Sequence, residues 1–311
     1  MSSVIFDNLG SPWAGIGKQL DKPETVHDAM VQADMDWTVS KQPIFLADGR
    51  ELKQRAIVRD DNNGVLGVVS PKWTPYQNED AFRWFEPFVE SNEVEFSTAG
   101  AFKGGRITWV LARLNRDNAE IAAGDEVAKY LLLSNSHDGT KAVRVGFTPI
   151  RIVCINTLQM AQKSAASKML RVNHSQHVKR NVTDIREIIN TANADFEATA
   201  EQYRFLASRQ INTSDLENYV KVVLGKGNVE KDDLSTRAKN QMSKIISLFD
   251  EGRGNKNPAI AGSWWAAYNG VTEWLSYERG NSNDNRMSSL WFGQNATVNK
   301  TAFDAAIEMA A

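Results

Sequence analysis

Apolar and polar residues alternate through much of the first half of the chain, and this pattern predicts β-strands joined by tight turns. The turn sequences DG at 48–49 and DNNG at 61–64 separate the first strands, which predicts a β-meander. Two further hairpins are expected, in which residues 94–102 pair with 107–114 and residues 128–134 pair with 141–147. We therefore expect residues 36–150 to form one antiparallel sheet with both faces partly covered.

Two short helical segments accompany this sheet. Apolar residues recur at helical spacing over residues 24–33, and Pro23 stands where a helix can begin. Asn78 is a favourable N-cap for the sequence NEDAFRWFEPFVE, in which Pro87 should end or bend the helix. The first part of the chain is thus predicted to be a sheet that carries one or two helices.

The pattern changes after Arg151, because the β-branched hairpins stop and apolar residues take helical spacing. Ser214 and Ser263 are expected N-caps, the second of them for the sequence WWAAYNGVTEWLSYERG. Loops rich in Gly, Asn and Ser separate the later segments. Helices are predicted over residues 155–171, 184–209, 214–224, 234–250, 264–280 and 297–309.

This order of elements predicts the α+β class: an N-terminal antiparallel β-hairpin sheet with one or two helices, followed by a helical C-terminal half. Three regions are expected: an N-terminal arm and helix (1–35), a sheet domain with a basic strand-to-helix segment (36–183) and a helical region (184–311). Strands and helices do not alternate as βαβ units, which disfavours a doubly wound nucleotide-binding fold.

The composition is that of a globular protein. Apolar residues make up 42% of the 311 residues and charged residues 24%, which excludes a disordered or collagen-like chain. No secretory signal or membrane-spanning run is found, so we expect a cytoplasmic protein that does not enter a membrane. Cys154 is the single cysteine, and its setting IRIVCINTL favours a buried core thiol over a nucleophile.

The segment from residue 139 to residue 183 contains no aspartate or glutamate. The chain has 38 acids in 311 residues, so about five or six would be expected in a segment of this length. A basic surface without carboxylates favours nucleic-acid binding, because each phosphate that a cation neutralises releases counterions, whereas a nearby carboxylate would cancel the positive field. The cations of the segment are Lys141, Arg144, Arg151, Lys163, Lys168, Arg171, Lys179 and Arg180, joined by His174 and His177.

A second interpretation of this segment is a solvated charged face, with acidic partners from the helix after Asp184 or from another subunit. Arg144 and Arg151 are seven residues apart in or beside a strand, so they lie on opposite faces unless a bulge intervenes. Lys103 and Arg106, which lie in the turn between the predicted strands 94–102 and 107–114, are further candidates for nucleic-acid contact.

Aromatic residues beside cations give a weaker indication of nucleic-acid binding. Trp73 and Tyr76, in the sequence PKWTPYQ, are candidates for stacking on bases. Stacking of a base on an aromatic ring contributes about 1–3 kcal/mol of binding free energy. Core packing explains tryptophans equally well, and we expect the helically spaced Trp264, Trp265 and Trp274 to be core residues.

No pattern in the sequence indicates an enzyme or a cofactor. His174 and His177 have the i, i+3 spacing of a metal-binding pair, but two histidines alone make a weak site. His137 and Asp138 lie in a turn, where Asp and Gly serve the turn geometry. The phosphate-binding motif GxxxxGK[ST] is absent from the sequence, and neither a metal nor a cofactor is expected.

Several stretches together resemble the phage- and plasmid-like proteins of domain-of-unknown-function family 932. They are WAGIGKQLDKPETVHDAM, GVLGVVSPKWTPYQNEDAF, FSTAGAFKGGRITWVLARL, LLLSNSHDGTKAVRVGFTPIRIVCINTL and GSWWAAYNGVTEWL. The resemblance implies an origin on phages, plasmids or integrated elements and defines no activity. In element order the chain is also similar to single-strand annealing proteins of the RecT and Red-beta type, although this is an analogy of fold.

Three functional hypotheses follow. The first is a self-associating, ATP-independent protein of DNA metabolism that binds or anneals single-stranded DNA through a basic groove. The second is a non-enzymatic interaction or inhibitor protein of a mobile element that binds a host protein. The third is a nucleic-acid enzyme, which would need carboxylates brought together from distant segments.

Overall fold

The computed structural model describes residue 13 and residues 17–115, 118–154, 156–158, 170–183 and 193–311, with side chains of the last range from 196 onward. The chain forms two compact units that are discontinuous in sequence. Unit 1 consists of Met1–Arg116, Lys129–Thr148 and Gln162–Ala194, and unit 2 of Asp117–Ala128, Pro149–Ala161 and Asp195–Ala311. The regions expected from the sequence were contiguous, whereas here residues 117–128 and 149–161 group with the helical part of the chain.

The described strands are concentrated in the first half of the chain, as the alternating pattern predicts. They are β1 (Lys18–Gln19), β2 (Val39–Phe45), β3 (Glu51–Arg59), β4 (Val65–Val69), β5 (Val94–Phe102), β6 (Ile107–Leu114), β7 (Ala119–Ala122), β8 (Asp125–Ser136), β9 (Val143–Arg151), β10 (Asn156–Thr157) and β11 (Leu170–Val172).

The described helices lie mostly in the second half, which confirms the α+β class. They are α1 (Val26–Gln32), α2 (Asn78–Arg83), α3 (Glu86–Glu90), α4 (Asn193–Ala207), α5 (Thr213–Val223), α6 (Thr236–Glu251), α7 (Trp264–Glu273), α8 (Asn283–Phe292) and α9 (Gln294–Ala310). Residues 178–183 are also helical. A 3₁₀ turn covers Lys103–Gly105, and a π-helical turn, Trp274–Glu278, continues α7.

The strands expected as one sheet form two in the described residues. The predicted meander is confirmed as a separate three-stranded antiparallel sheet, β2-β3-β4, in which Ile57 pairs with Gly67. This small sheet buries an apolar cluster of its own, against which Trp73 and Ala101 pack. The cluster consists of Trp37, Val39, Ile57, Leu66 and Val69.

The larger sheet of unit 1 has the order β1-β5-β6-β8-β9, and β11 also pairs with β9. On one face Phe96 contacts Phe82 and Phe85 of the α2–α3 region, with ring centroids 5.8 Å apart in both pairs. Trp109 points to the opposite face, where Trp13 meets its ring edge-on at 5.5 Å. Both faces are therefore covered, as expected from the run of apolar residues in β6.

The helix predicted after residue 78 is divided into α2 and α3. Gln77 is the N-cap, and its backbone N–H donates to the Asp80 carboxylate. Asn78, the predicted N-cap, is instead the first helical residue, and its buried Nδ2 donates to the carbonyls of Met35 and Trp37. Pro87 stands in the first turn of α3, so the bend expected at this proline is confirmed.

Unit 2 has an aromatic core between its helices. Tyr203 lies 4.8 Å from Trp265 and 5.5 Å from Phe303, measured between ring centroids. Ser263 is the N-cap of α7, as predicted, and its hydroxyl accepts from the Ala266 N–H. The prediction that Trp264, Trp265 and Trp274 are core residues is also confirmed.

Some helix predictions differ from the fold. Residues 155–171 were predicted as one helix, but residues 156–157 and 170–172 are short strands that pair with β9. Pairing with a neighbouring strand overrides local helical spacing in such short segments. Residues 159–169 and 184–192 of the predicted helices lie outside the described residues. The start of α5 is capped by Asn212 rather than Ser214, and α8 occupies a segment predicted as a loop.

Within the described part of the chain, none of the helices combines the length and the apolar character that crossing a bilayer requires.

Candidate nucleic-acid interface

Five of the predicted DNA-contacting cations lie at one end of the larger sheet in unit 1. The turn between β5 and β6 is at this end, because Phe102 pairs with Ile107 and Ile107 pairs with Ser136, the last residue of β8. The turn between β8 and β9 follows Ser136, and β11 pairs with the beginning of β9. We call this set of residues the basic end: Lys103, Arg106, Lys141, Arg144 and Arg171.

Arg144 and Arg171 are directly opposite each other on the antiparallel strands β9 and β11. Their side chains therefore share one face of the sheet, Arg144 half-buried and Arg171 exposed. Burial and the charge of Arg171 together lower the pKa of the Arg144 guanidinium. Two like charges at a cross-strand position repel each other, and each guanidinium group has the geometry to form paired hydrogen bonds with an anion.

Asp138 is the carboxylate closest in sequence to the basic end, and local contacts engage it. One of its oxygens accepts hydrogen bonds from the Ser136 hydroxyl at 2.5 Å and from the Thr140 N–H at 2.9 Å. Burial alone would raise the pKa of Asp138, but these bonds and the charge of Arg106 hold it below its ordinary value. The predicted turn role of Asp138 is thus confirmed.

The remaining cations of the acid-free segment are divided. Lys179 and Arg180 are exposed on the helical residues 178–183, and Lys179 forms a salt bridge of 2.8 Å with Asp80. Lys179 is thus neutralised within unit 1, although Asp80 is not one of the sources expected, which were the helix after Asp184 and another subunit. Lys163 and Lys168 lie outside the described residues.

Arg151 cannot contact a nucleic acid in this fold, which corrects the prediction made for it. Its side chain is 0% exposed in unit 2 and forms a two-pronged ion pair with Asp125, at 2.8 and 2.7 Å. Its third nitrogen donates to the side-chain oxygen of Asn255 at 2.9 Å and to the Arg253 carbonyl. No pattern in the sequence indicates this partner, since Asp125 lies upstream of the acid-free segment.

The two residues predicted to stack on bases differ in their burial. Tyr76 is 2% exposed, and its hydroxyl donates to the Asp80 carbonyl, so the prediction that it stacks on a base is wrong. Trp73 is half-buried against the apolar cluster of the small sheet. Its ring stacks on His174, with centroids 4.5 Å apart and planes at 20°.

His137, which the sequence placed in an ordinary turn, is completely buried. Its Nε2 lies 3.1 Å from the side-chain oxygen of Asn78, whose nitrogen is already committed to two carbonyls, so Nε2 carries the hydrogen. The ring meets Trp37 edge-on at 5.4 Å. Burial, and secondarily the charge of His174, lowers the pKa of His137 to about 3.

Metal chemistry and thiol chemistry receive no support from the described residues. They contain no cluster of three or more His, Cys, Asp or Glu side chains arranged for a metal ion. Cys154 is 0% exposed, as predicted for a core thiol, and burial raises its pKa to about 11. A thiol of this kind stays protonated at neutral pH and is a poor nucleophile.

Comparison with known proteins identifies one family. A family model described as "Domain of unknown function (DUF932)" matches residues 65–301, which is most of the chain. No curated protein and no solved structure shows significant similarity to the chain. The similarity in element order to RecT and Red-beta proteins therefore gains no support from these comparisons.

Proposed function

We propose that this chain, which belongs to the family described as Domain of unknown function (DUF932), binds a nucleic-acid strand through the basic end of unit 1. The observation that carries the proposal is the arginine pair, two guanidinium groups on one face at a cross-strand position. Guanidinium groups match phosphate geometry with paired hydrogen bonds, and a phosphate between them offsets their repulsion.

The surroundings of the arginine pair favour a polyanion over a single small anion. Lys103 and Arg106 extend the positive charge along the end of the sheet, and Lys141 adds to it at the turn before β9. Several phosphates of one strand could thus be contacted together, which gives affinity without base recognition. Trp73 could offer a base only one partly accessible ring face for stacking, because His174 covers the other face.

Single-stranded DNA is the substrate that we propose first, with annealing of complementary strands as the activity. The absence of a nucleotide-binding motif in the sequence is consistent with an ATP-independent process. Self-association, an origin on a phage or another mobile element and a place in recombination are parts of the same hypothesis.

Fluorescence titration with a labelled single-stranded oligonucleotide tests binding. We expect binding at about 50 mM salt that weakens steeply toward 200 mM, because phosphate contacts release counterions. Arg171→Gln should weaken binding and reduce the slope of log affinity against log salt by about 0.7, the value for one phosphate of a single strand. Absence of binding at about 50 mM salt would overturn the proposal.

A matched control separates the arginine pair from a general charge effect. Arg50 is an exposed arginine in the turn between β2 and β3 that pairs with Asp48, so Arg50→Gln removes the same charge elsewhere in unit 1. We expect this variant to bind like the unmodified protein. Lys163→Glu and Lys168→Glu, in the same assay, test the part of the acid-free segment that lies outside the described residues.

A second candidate function, binding of a host protein, is favoured by apolar side chains on the small sheet. Phe45, Val65 and Val68 are each 57–58% exposed, an unusual position for large apolar residues. Pull-down from a nuclease-treated host lysate distinguishes the two functions. A partner that survives nuclease and is lost on Val68→Lys favours the second candidate, whereas loss of every partner with nuclease favours the first.

A further inference from the structure

His174 fastens the segment that carries Arg171 to another part of unit 1. Its Nδ1 lies 3.0 Å from the Thr74 carbonyl, and its own carbonyl accepts from the Thr74 N–H at 3.1 Å. The ring also stacks on Trp73 and is only 8% exposed. We call these contacts of His174 with Trp73 and Thr74 the His174 latch.

The hydrogen bond from the ring to Thr74 determines the tautomer of the neutral His174. A carbonyl oxygen can only accept, so the Nδ1 that faces Thr74 carries the hydrogen, and in the neutral ring Nε2 is unprotonated. Nε2 is buried, and no described protein group pairs with it. A second proton on this ring would create a charged N–H group without a protein acceptor, which is costly in a buried position.

Among the described residues, the charged and titratable groups near the latch include Asp138, His137, Arg59 and Lys41, whose Nζ donates to the Trp73 carbonyl at 3.0 Å. Burial lowers the pKa of His174 and outweighs the hydrogen bond to the Thr74 carbonyl and the charge of Asp138, which both favour the protonated ring. The charge of a protonated His174 disfavours protonation of His137, and Arg59, stacked on Trp37, adds a positive charge on the side of His137. The docked segment therefore favours a neutral His174.

The latch lies close in sequence to the arginine pair. Arg171 faces Arg144 only while the three residues of β11 pair with β9, and β11 ends at Val172, two residues before His174. A strand this short has few ladder hydrogen bonds, so contacts beyond its end contribute to keeping it in place.

We propose that His174 is a positioning residue whose protonation loosens residues 170–175, so that acid weakens nucleic-acid binding by the arginine pair. This inference rests on the proposed function. Weaker binding in acid is the opposite of the usual pH dependence, because a protein without such a device gains positive charge in acid and binds phosphates more tightly. Linkage limits the effect of one proton to a tenfold change in the docking equilibrium per pH unit.

Hydrogen exchange measures the latch independently of any ligand. After correction for intrinsic rates, protection of the 171–175 amides should fall by up to tenfold per pH unit below about 6.5, the ordinary pKa of histidine. His174→Asn keeps a donor for Thr74 but cannot titrate, so its protection should be independent of pH. His177→Asn is the matched control, since His177 is exposed three residues away and this variant should behave like the unmodified protein.

Two results would overturn the latch. One is an equal pH dependence in His174→Asn, and the other is a pH dependence that disappears in His137→Gln but not in His174→Asn. Binding of the single-stranded oligonucleotide between pH 7.5 and 5.5 then tests the functional part, with weakening expected for the unmodified protein and none for His174→Asn. Failure to bind DNA at every pH would remove the proposed function alone, because the exchange result stands without it.

Discussion

Replacing Arg171 with glutamate separates a role in binding from a role in folding. In the native sheet Arg171 faces Arg144, so the substitution turns a cross-strand pair of like charges into a pair of opposite charges. The substitution should therefore stabilise unit 1 while it removes a phosphate contact. Few surface changes are expected to move stability and binding in opposite directions.

The size of the gain follows from the geometry. A favourable cross-strand charge pair contributes about 0.2–1 kcal/mol, and an unfavourable one costs a similar amount. Because Arg171 is exposed, we expect a net gain of about 1 kcal/mol, near the middle of the combined range. For a unit of this size, that corresponds to a rise in Tm of about 2–4 °C.

Thermal unfolding at low salt and oligonucleotide titration together provide the assay. Affinity should fall at least about tenfold, because a charge-assisted hydrogen bond worth about 1.5–3 kcal/mol is lost. Arg50→Glu, which makes the same change of charge in the turn between β2 and β3, should leave binding unchanged and should not raise Tm, since it breaks the pair with Asp48.

Two outcomes would refute the reasoning. A lower Tm together with weaker binding would mean that Arg171 supports the fold and that binding is lost with it. A higher Tm with unchanged binding would show that the arginine pair is real but is not the phosphate site.

Three further predictions concern stability. Arg151→Met should destabilise unit 2 by about 3–5 kcal/mol in urea unfolding, because it leaves the buried Asp125 carboxylate without its ion-pair partner. The double variant Arg151→Met with Asp125→Leu should recover much of this stability, because it removes the buried charge as well. The contribution of His137 to the stability of unit 1 should fall as the pH drops from about 6.5 toward 3, by up to about 1.4 kcal/mol per pH unit, because the unfolded state binds a proton that the buried ring does not. In urea unfolding, His137→Gln should lose this contribution and keep the one from His174, whose pKa is also lowered. Gly67→Ala should cost about 1–3 kcal/mol in the same assay, since its Cβ would lie 2.6 Å from the Asp138 carbonyl, and an effect near zero would contradict the close packing of β4 on this turn.

Local rules in the sequence predicted the parts of the fold that depend on neighbouring residues. The turn at 61–64 determines the pairing of β3 with β4, and Ser263 caps α7 by a bond to an N–H three residues away. Cys154 was recognised as a core residue from its apolar neighbours alone. Each of these features needs information from fewer than about ten residues.

The features that sequence analysis missed depend on distant partners. β11 exists because Arg171 and its neighbours meet β9, and no local pattern distinguishes those three residues from a helix end. Arg151 appeared to be one more cation of a basic segment, but Asp125 and Asn255 enclose it. His137 stood in an ordinary turn sequence, and only the fold shows that Asn78 is beside it.

The environment of Arg151 also constrains how the chain can be cut. Asp125 and Arg151 are synthesised early, but the groups that complete the guanidinium site, at residues 253–255, follow about one hundred positions later. Until synthesis has passed α6, the Asp125–Arg151 pair lacks these later partners. A shortened version that stops before Arg253 would leave this cation only half enclosed, so domain dissection should keep residues 118–128, 149–158 and 253–255 in one piece.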